Sequence, residues 1–305
     1  MTDSDAFDAE VIAAFGRHLI VRDAAARELR ARPSGRRLSI VCGDRVRCIR
    51  ERDEFLVAEV FPRTTLLARA SLRGDSEPVV ANITQLVVVV APLPSPDFFI
   101  VDRYLCAATA AGIAGAVAVN KSDLDANNTD RAELDALAAA GYRVIACSAK
   151  TPDGADALRT LLADAVSVLV GQSGVGKSSL VGALLPAATV ETGGLMREEE
   201  GRHTTTASRS YPLTTGGALI DSPGVRDFAP AVDLLDAKTL GFPEVAARAR
   251  GCRFLDCRHM QEPGCAVIAA AEDGSMSPRR YESYRRLRRR YSDLVEARGH
   301  RRNRR

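Results

Sequence analysis

Gly171-Gln172-Ser173-Gly174-Val175-Gly176-Lys177-Ser178 decides the reading of this 305-residue chain. The eight residues fit G-x-x-x-x-G-K-[ST], a loop whose glycines let successive backbone N–H groups wrap around phosphate oxygens. The flanking context is right on both sides. Val166–Val170 is a continuous apolar run of strand length, and a helical pattern opens at Lys177. A helix N-terminus behind the loop adds positive potential for an anion. In this arrangement Gly171 through Ser179 cradle a nucleotide, Lys177 reaches the β- and γ-phosphates, and the Ser178 hydroxyl binds Mg²⁺.

Outward from that loop, strands alternate with helices. Leu86–Val90 and Ala116–Val119 read as buried strands, Arg143–Ala146 and Ala218–Ile220 as further strands, and Asp97–Ala111, Arg131–Ala140 and Ala155–Asp164 as helices. Such alternation implies a parallel sheet with helices on both faces, and ligands bind at the carboxyl ends of its strands. Three further motifs sit at those ends. Asn120-Lys121-Ser122-Asp123 places a carboxylate two residues after a lysine. Asp123 is suited to accept from N1–H and the 2-amino group of guanine, a donor pair that adenine lacks. Asn120 would brace neighbouring loops and the Lys121 stem would cover the base. Ser148-Ala149-Lys150 would present a backbone N–H to guanine O6. Asp221-Ser-Pro-Gly224 offers a carboxylate for Mg²⁺ and, at Gly224, an N–H for the γ-phosphate. Between the P-loop and Asp221 lies Gly201-Arg-His203-Thr204-Thr205-Thr206, where Thr204 or Thr205 would complete the Mg²⁺ shell when the γ-phosphate is present.

The two ends of the chain read differently. Residues 1 to about 34 look irregular. Leu38–Val41, Asp44–Arg50 and Phe55–Val60 are short β-prone runs of the kind that build a small barrel. After about Gly241 the strands stop. Cys252, Cys257, His259 and Cys265 then supply three thiolates and an imidazole, a closed tetrahedral set for one structural Zn²⁺. Of the seven cysteines, the other four, Cys42, Cys48, Cys106 and Cys147, read as buried thiols. A helix opening at Ser277-Pro278 carries Tyr281, Tyr284, Leu287, Tyr291 and Leu294 as one packing stripe. Residues 279–305 hold twelve Arg against three acids, leaving +9 there and −6 on the rest of a chain of net charge +3. Arg279, Arg280, Arg285, Arg286, Arg288, Arg289, Arg290, Arg301, Arg302, Arg304 and Arg305 fall outside the stripe, to meet phosphates or simply to be solvated. The acidic first ten residues do not fit a leader peptide, and no apolar run is long enough to span a bilayer, so a cytoplasmic protein is expected.

The motif set resembles a circularly permuted Ras-like GTPase, because the guanine motifs precede the P-loop instead of following it. With the barrel and the Cys₃His cluster, residues 36–280 resemble the RsgA family of small ribosomal subunit biogenesis GTPases. The resemblance implies an OB-fold-like barrel over residues 1–82, a permuted GTPase domain over 83–240 and a C-terminal zinc domain with a basic helical tail over 241–305. It also implies GTP/GDP, Mg²⁺ and Zn²⁺ as cofactors, and hydrolysis of GTP stimulated by the 30S ribosomal subunit during its late maturation. The expected partners are that subunit and its rRNA, with no membrane, and the chain acts as a monomer. Where many Ras-like enzymes have a Gln after D-x-x-G, this chain has Val225. His203 is then the candidate to position the attacking water, alongside Lys177, Thr204 and Thr205 in catalysis. Two rival readings are an RNA-binding module that keeps a nucleotide fold without significant hydrolysis, and an ATPase or kinase. Intact Lys177, Ser178 and Asp221 oppose the first, and Asn120 and Asp123 oppose the second.

Overall fold

Alternating burial along the first five strands closes them into a barrel. The computed structural model describes residues 6–16, 18–35, 38–70, 76–124, 130–185, 208–222, 231 and 234–302, without the side chains of 70 and 297–302. Strands β1 (Ala6–Phe15), β2 (His18–Asp23), β3 (Glu28–Pro33), β4 (Arg45–Glu51) and β5 (Glu54–Val60) supply its wall. Ala9 and Val11, Leu19 and Val21, Ala31, Val46 and Cys48, and Val57 form one buried cluster. Spacing of two puts these side chains on the inner face, while Arg30, Arg32, Arg45 and Arg47 are exposed. The ladder runs β1-β2-β3-β5-β4, and Ala6–Glu10 pairs with Arg45–Ile49 to close it. Only the β3–β5 pairing is parallel.

Two expectations fail here. Residues 1–34 are not irregular, since β1, β2 and β3 lie within them. A β-bulge between Val11 and Ala13 shifts the apolar phase of β1, and charged side chains on the outer face of β3 mask its inward residues. Leu38–Val41 is not a strand. Its polar groups bind side chains: the Val41 N–H donates to Asp44 Oδ2 at 2.8 Å, and the Ser39 carbonyl accepts from Arg63 Nη2 at 2.7 Å. Asp44 is fully buried and takes two bonds from Arg63, at 2.7 and 2.9 Å. A two-stranded ribbon, β6 (Leu66–Ala70) and β7 (Ser76–Ala81), follows the barrel.

The second unit is a sheet of β8 (Gln85–Val90), β9 (Ala114–Val119), β10 (Arg143–Ala146), β11 (Val166–Val170), β12 (Ser208–Pro212) and β13 (Ala218–Asp221). Its order is β10-β9-β8-β11-β13-β12, parallel except for β12. Helices α1 (Phe98–Ala110) and α2 (Arg131–Ala139) cover one face, and α3 (Asp156–Leu162) and α4 (Lys177–Leu184) the other. Alternate residues of β8 serve the two cores: Val88 and Val90 pack with Val101 and Leu105, and Val87 and Val89 with Leu158 and Leu180. Burial on both faces is why these strands read as unbroken apolar runs. Ala13 and Ala14 of β1 also pair with Arg209 and Ser208 of β12, so barrel and sheet form one eleven-stranded sheet.

The chain ends in α5 (Pro243–Ala249), α6 (Ala266–Glu272) and α7 (Pro278–Arg302). Tyr284 and Leu287 are buried and Tyr281, Tyr291 and Leu294 partly so, in one cluster with Phe242, Val245 and Val267. The expected stripe therefore packs. The Arg-rich face outside it is not uniformly solvated or free. Arg280 is 1% exposed and binds Asp102 Oδ1 of α1 at 2.5 Å and Glu244 of α5 at 2.5 and 2.9 Å. Arg279 binds Asp102 Oδ2 at 2.6 Å and also Glu133 of α2. Arg288 donates to the carbonyls of Ala237 and Lys238. These three side chains hold the C-terminal helices to the rest of the protein. Burial opposes the Arg280 charge, but Glu244 and Asp102 outweigh it and raise its pKa. No helix among the described residues is long and apolar enough to cross a membrane.

Removing one partner of a buried ion pair leaves the other desolvated and uncompensated. Arg280→Ala should therefore cost about 3–5 kcal/mol of stability. Urea unfolding measures this, and a loss below about 1 kcal/mol, the range of a surface pair, would show that the contact does not hold the helices.

Candidate nucleotide site and metal cluster

The carboxyl ends of β8, β9, β10, β11 and β13 lie along one edge of the sheet, and each leads into a loop that carries a motif or binds one. After β11 the chain turns at Gly171, with φ +139°, and Gly176, with φ +93°. Neither position tolerates a side chain. A Cβ on Gly171 would sit 2.2 Å from the Val89 carbonyl oxygen, and one on Gly176 would sit 2.3 Å from Asn120 Nδ2. Lys177, the first residue of α4, is buried, and its Nζ donates to the carbonyls of Gly171 at 2.5 Å and Gln172 at 2.6 Å. Its ammonium thus lies across the loop, where phosphate oxygens would enter. Ser173, Gly174, Ser178 and Ser179 are exposed, and Val175 is buried beneath them.

The guanine motifs meet this loop directly. Asn120 is 2% exposed and its Nδ2 donates to the Val175 carbonyl at 2.8 Å. Its Oδ1 is buried with no partner among the described residues. A buried amide oxygen without a donor is costly, and a ligand N–H is the kind of group that would satisfy it. Lys121 adopts φ +59°, and its Nζ donates to the carbonyls of Leu93 at 2.6 Å and Gly174 at 2.8 Å. Its stem therefore bridges two loops. Ser148, also buried, donates from Oγ to Asp123 Oδ1 at 2.6 Å and accepts from the Lys150 N–H at 3.1 Å. The Ser148 bond is the chief reason the Asp123 carboxyl is held below its ordinary value, with Lys150 and Lys121 adding attraction. An exposed, ionised acceptor at that point suits a pair of N–H donors.

Asp221 ends β13 beside β11, at the same edge. Gly224, His203, Thr204 and Thr205 lie outside the described residues. The loop after β8, Pro92-Leu-Pro-Ser-Pro96, carries no recognisable motif. Yet Leu93 accepts from Lys121, and the Asp97 N–H donates to Gln172 Oε1 at 3.2 Å. The signal available was positional: it follows a buried parallel strand, as the motif loops do.

Between α5 and α6, Cys252, Cys257, His259 and Cys265 have ligand atoms all within 4.8 Å of one another. His259 Nδ1 lies 3.4 Å from Cys252 Sγ and 3.3 Å from Cys265 Sγ, and those two sulfurs are 3.8 Å apart. A tetrahedral zinc with ordinary bond lengths separates its ligands by about 3.8 Å for two sulfurs and about 3.6 Å for sulfur and nitrogen. The donor set therefore fits. Burial lowers the His259 pKa and keeps the imidazole in its neutral, ligating form. The loop is stapled by Glu262. Burial opposes its charge, but the N–H groups of Gln261, Met260 and Arg258 bring its pKa down to about 2.

Comparison with known proteins agrees with this geometry. The model of the RsgA GTPase family matches residues 60–230. A protein of Azotobacter vinelandii named small ribosomal subunit biogenesis GTPase RsgA is 44% identical over 257 residues, 82% of this chain and 74% of that one. Its namesake in Pseudomonas aeruginosa is 41% identical over 284 residues, 91% of this chain and 84% of that one. Among solved structures, YloQ, described as a circularly permuted GTPase, superposes with a TM-score of 0.71 at 27% identity, covering 94% of this chain and 96% of its own. YjeQ from Thermotoga maritima gives 0.72 at 26% identity, covering 95% and 99%. With its permuted strand order and its guanine loops joined to the P-loop, this chain belongs to the RsgA family of circularly permuted GTPases.

Proposed function

We propose that the protein hydrolyses GTP to GDP and phosphate on the 30S ribosomal subunit, assists the late maturation of that subunit in the cytoplasm, and acts as a monomer. The single observation behind the nucleotide reading is the contact between Asn120 and the Val175 carbonyl, which joins the base-reading loop to the phosphate loop. The ribosomal partner rests on the names of the relatives. In this reading Asp123, Ser148, Ala149 and Lys150 select guanine, while Asn120 and Lys121 hold the loops that flank it. Gly171 to Ser179 wrap the phosphates and Lys177 neutralises them. Ser178, Asp221 and Thr204 or Thr205 would hold Mg²⁺, which draws charge from the phosphate oxygens when bound. Gly224 senses the γ-phosphate.

The decisive assay follows GTP and ATP turnover with 30S, 50S or 70S particles added in parallel. GTP hydrolysis should rise with 30S above all, and ATP should be a poor substrate. Asp123→Asn should weaken GTP binding by about a hundredfold or more, because a donor then faces the guanine donors. Tight RNA binding with no phosphate release would instead support a binding module.

Val225 has no group to orient a water, so His203 takes that part when the subunit orders its loop. Single-turnover rates of His203→Ala with and without 30S examine this. A large loss confined to the stimulated rate is expected, and unchanged stimulated turnover removes His203 from the mechanism.

The Cys₃His cluster holds one structural Zn²⁺, with four protein ligands and no open position. Its role is to supply folding energy to the C-terminal helices. Purified protein should contain one zinc per chain. Cys257→Ser should lose the metal and expose residues after about 241 to protease while the nucleotide domain stays intact. Full zinc content in both Cys257→Ser and Cys265→Ser would dismiss the site.

A further inference from the structure

Between α1 and α7 lies a cavity of about 260 Å³ whose wall includes Arg103, Arg286 and Arg290. Arg103 comes from α1 and the other two from successive turns of α7. Three guanidinium groups around one space repel each other, and a fold tolerates that only where counter-charge is at hand. The carboxylates around it provide only part of that charge, since Asp97 attracts Arg103. Both oxygens of Asp102 are taken by Arg279 and Arg280. Asp97 Oδ1 caps α1 through the Phe99 N–H at 2.9 Å. Glu282, nearby on α7, is shared between Arg285 and Arg286 at 3.2 and 3.3 Å.

Arg103 closes the wall from the α1 side. Its Nε and Nη2 are buried and make no hydrogen bond among the described residues. Burial, and then the nearby Arg290, lower its pKa, with Tyr104 and Asp97 opposing them. Arg286 is held in place by stacking, its guanidinium carbon 3.7 Å from the centre of the Phe99 ring. The Ser283 hydroxyl on the same wall accepts from Arg279 Nη1 at 3.2 Å and keeps its own hydrogen to donate.

We propose that this cavity binds a phosphate group through Arg103, Arg286 and Arg290. Planar guanidinium forks match phosphate oxygens in pairs, and a dianion or phosphodiester would add negative charge where three guanidinium groups meet. The site is separate from the nucleotide site, yet one bond away: the backbone N–H of Asp97, on the cavity wall, donates to Gln172 Oε1 of the P-loop. The ligand reaches the seam where Arg279 and Arg280 fasten the C-terminal helices to α1.

The test uses the full chain loaded with GDP and Mg²⁺, so that the P-loop is filled. Inorganic phosphate is titrated and followed by calorimetry and ³¹P NMR. Saturable binding at a single site is expected. Arg103→Gln and Arg290→Ala should each weaken it about tenfold or more, the loss of a charge-assisted contact. Arg289→Ala, which lines a different cleft beside Phe254 and Met260, should leave it unchanged. A short single-stranded RNA is then added. Competition with phosphate assigns the site to a nucleic-acid backbone, and its absence assigns it to free phosphate. Failure to saturate overturns the proposal, as does an equal loss in Arg289→Ala, which would mean a general basic surface. Arg290 is exposed, so its variant decides the matter even where Arg103→Gln fails to fold.

Discussion

Strand β11 hydrogen-bonds in parallel to β8 on one side and to β13 on the other, and the nucleotide site depends on that placement. The P-loop leaves the end of β11, between the loop that contributes Leu93 and the strand that ends in Asp221. Asn120, one strand further out on β9, then reaches the Val175 carbonyl, and Lys121 reaches Gly174. Nothing in this set of contacts depends on which strand is made first. A sheet is defined by its neighbours and register, so joining the strands in a different order leaves its edge unchanged provided the new connections are short and exposed. Permutation alters what the last strand leads into. β13 ends at Asp221, and the elements that follow it in sequence are the C-terminal helices rather than further strands of the sheet.

The barrel is fastened to the same sheet. β1 bends at its bulge, gives Ala6–Glu10 to β4 to close the barrel, and gives Ala13 and Ala14 to β12. β12 pairs in turn with β13. Arg209 of β12 adds an ion pair to Glu28 of β3 at 3.1 Å. A strand that serves two units removes an exposed edge from each. It also connects the strand following Thr204 and Thr205 to the barrel through main-chain hydrogen bonds rather than through a flexible linker.

Legibility in the sequence followed the physics of each part. Strands buried on both faces announce themselves as apolar runs, and loops that wrap phosphate require glycine at fixed points, so β8, β9, β11 and Gly171–Ser178 were plain. Asn120, Asp123 and Ser148 were legible as candidates because chemistry restricts the residue types suited to reading guanine. β1 and β3 were not. An open barrel wall needs only one inward residue in two, the bulge breaks even that rhythm, and outward arginines on β3 look like a charged loop. The segment at Leu38–Val41 has strand-like residues, but the Asp44–Arg63 pair claims its backbone groups, and no local pattern reports a partner 19 residues away. The loop after β8 escaped notice because its contribution is made by carbonyls, which any sequence possesses.

The arginines of α7 show how far net charge misleads. A run of this composition suggests a helix turned wholly to solvent or to polyanions. Yet Arg280 is as buried as a core leucine, with rings on both sides: its guanidinium carbon lies 5.0 Å from the centre of the Phe242 ring and 5.6 Å from that of Tyr142. Only arginine can do this. Its planar group stacks on aromatics while its edge reaches two carboxylates, and it holds its proton even when desolvated. Asp102 of α1 then accepts from both Arg279 and Arg280, so a helix of the nucleotide domain carries the charge on which the C-terminal helices rest. A movement of α1, whose Phe99 N–H is capped by Asp97 of the loop that touches Gln172, cannot leave that contact undisturbed. The basic face and the nucleotide loop in this sense meet the same N-terminal half of α1, and the arginines that face inward decide how the ones that face outward are presented.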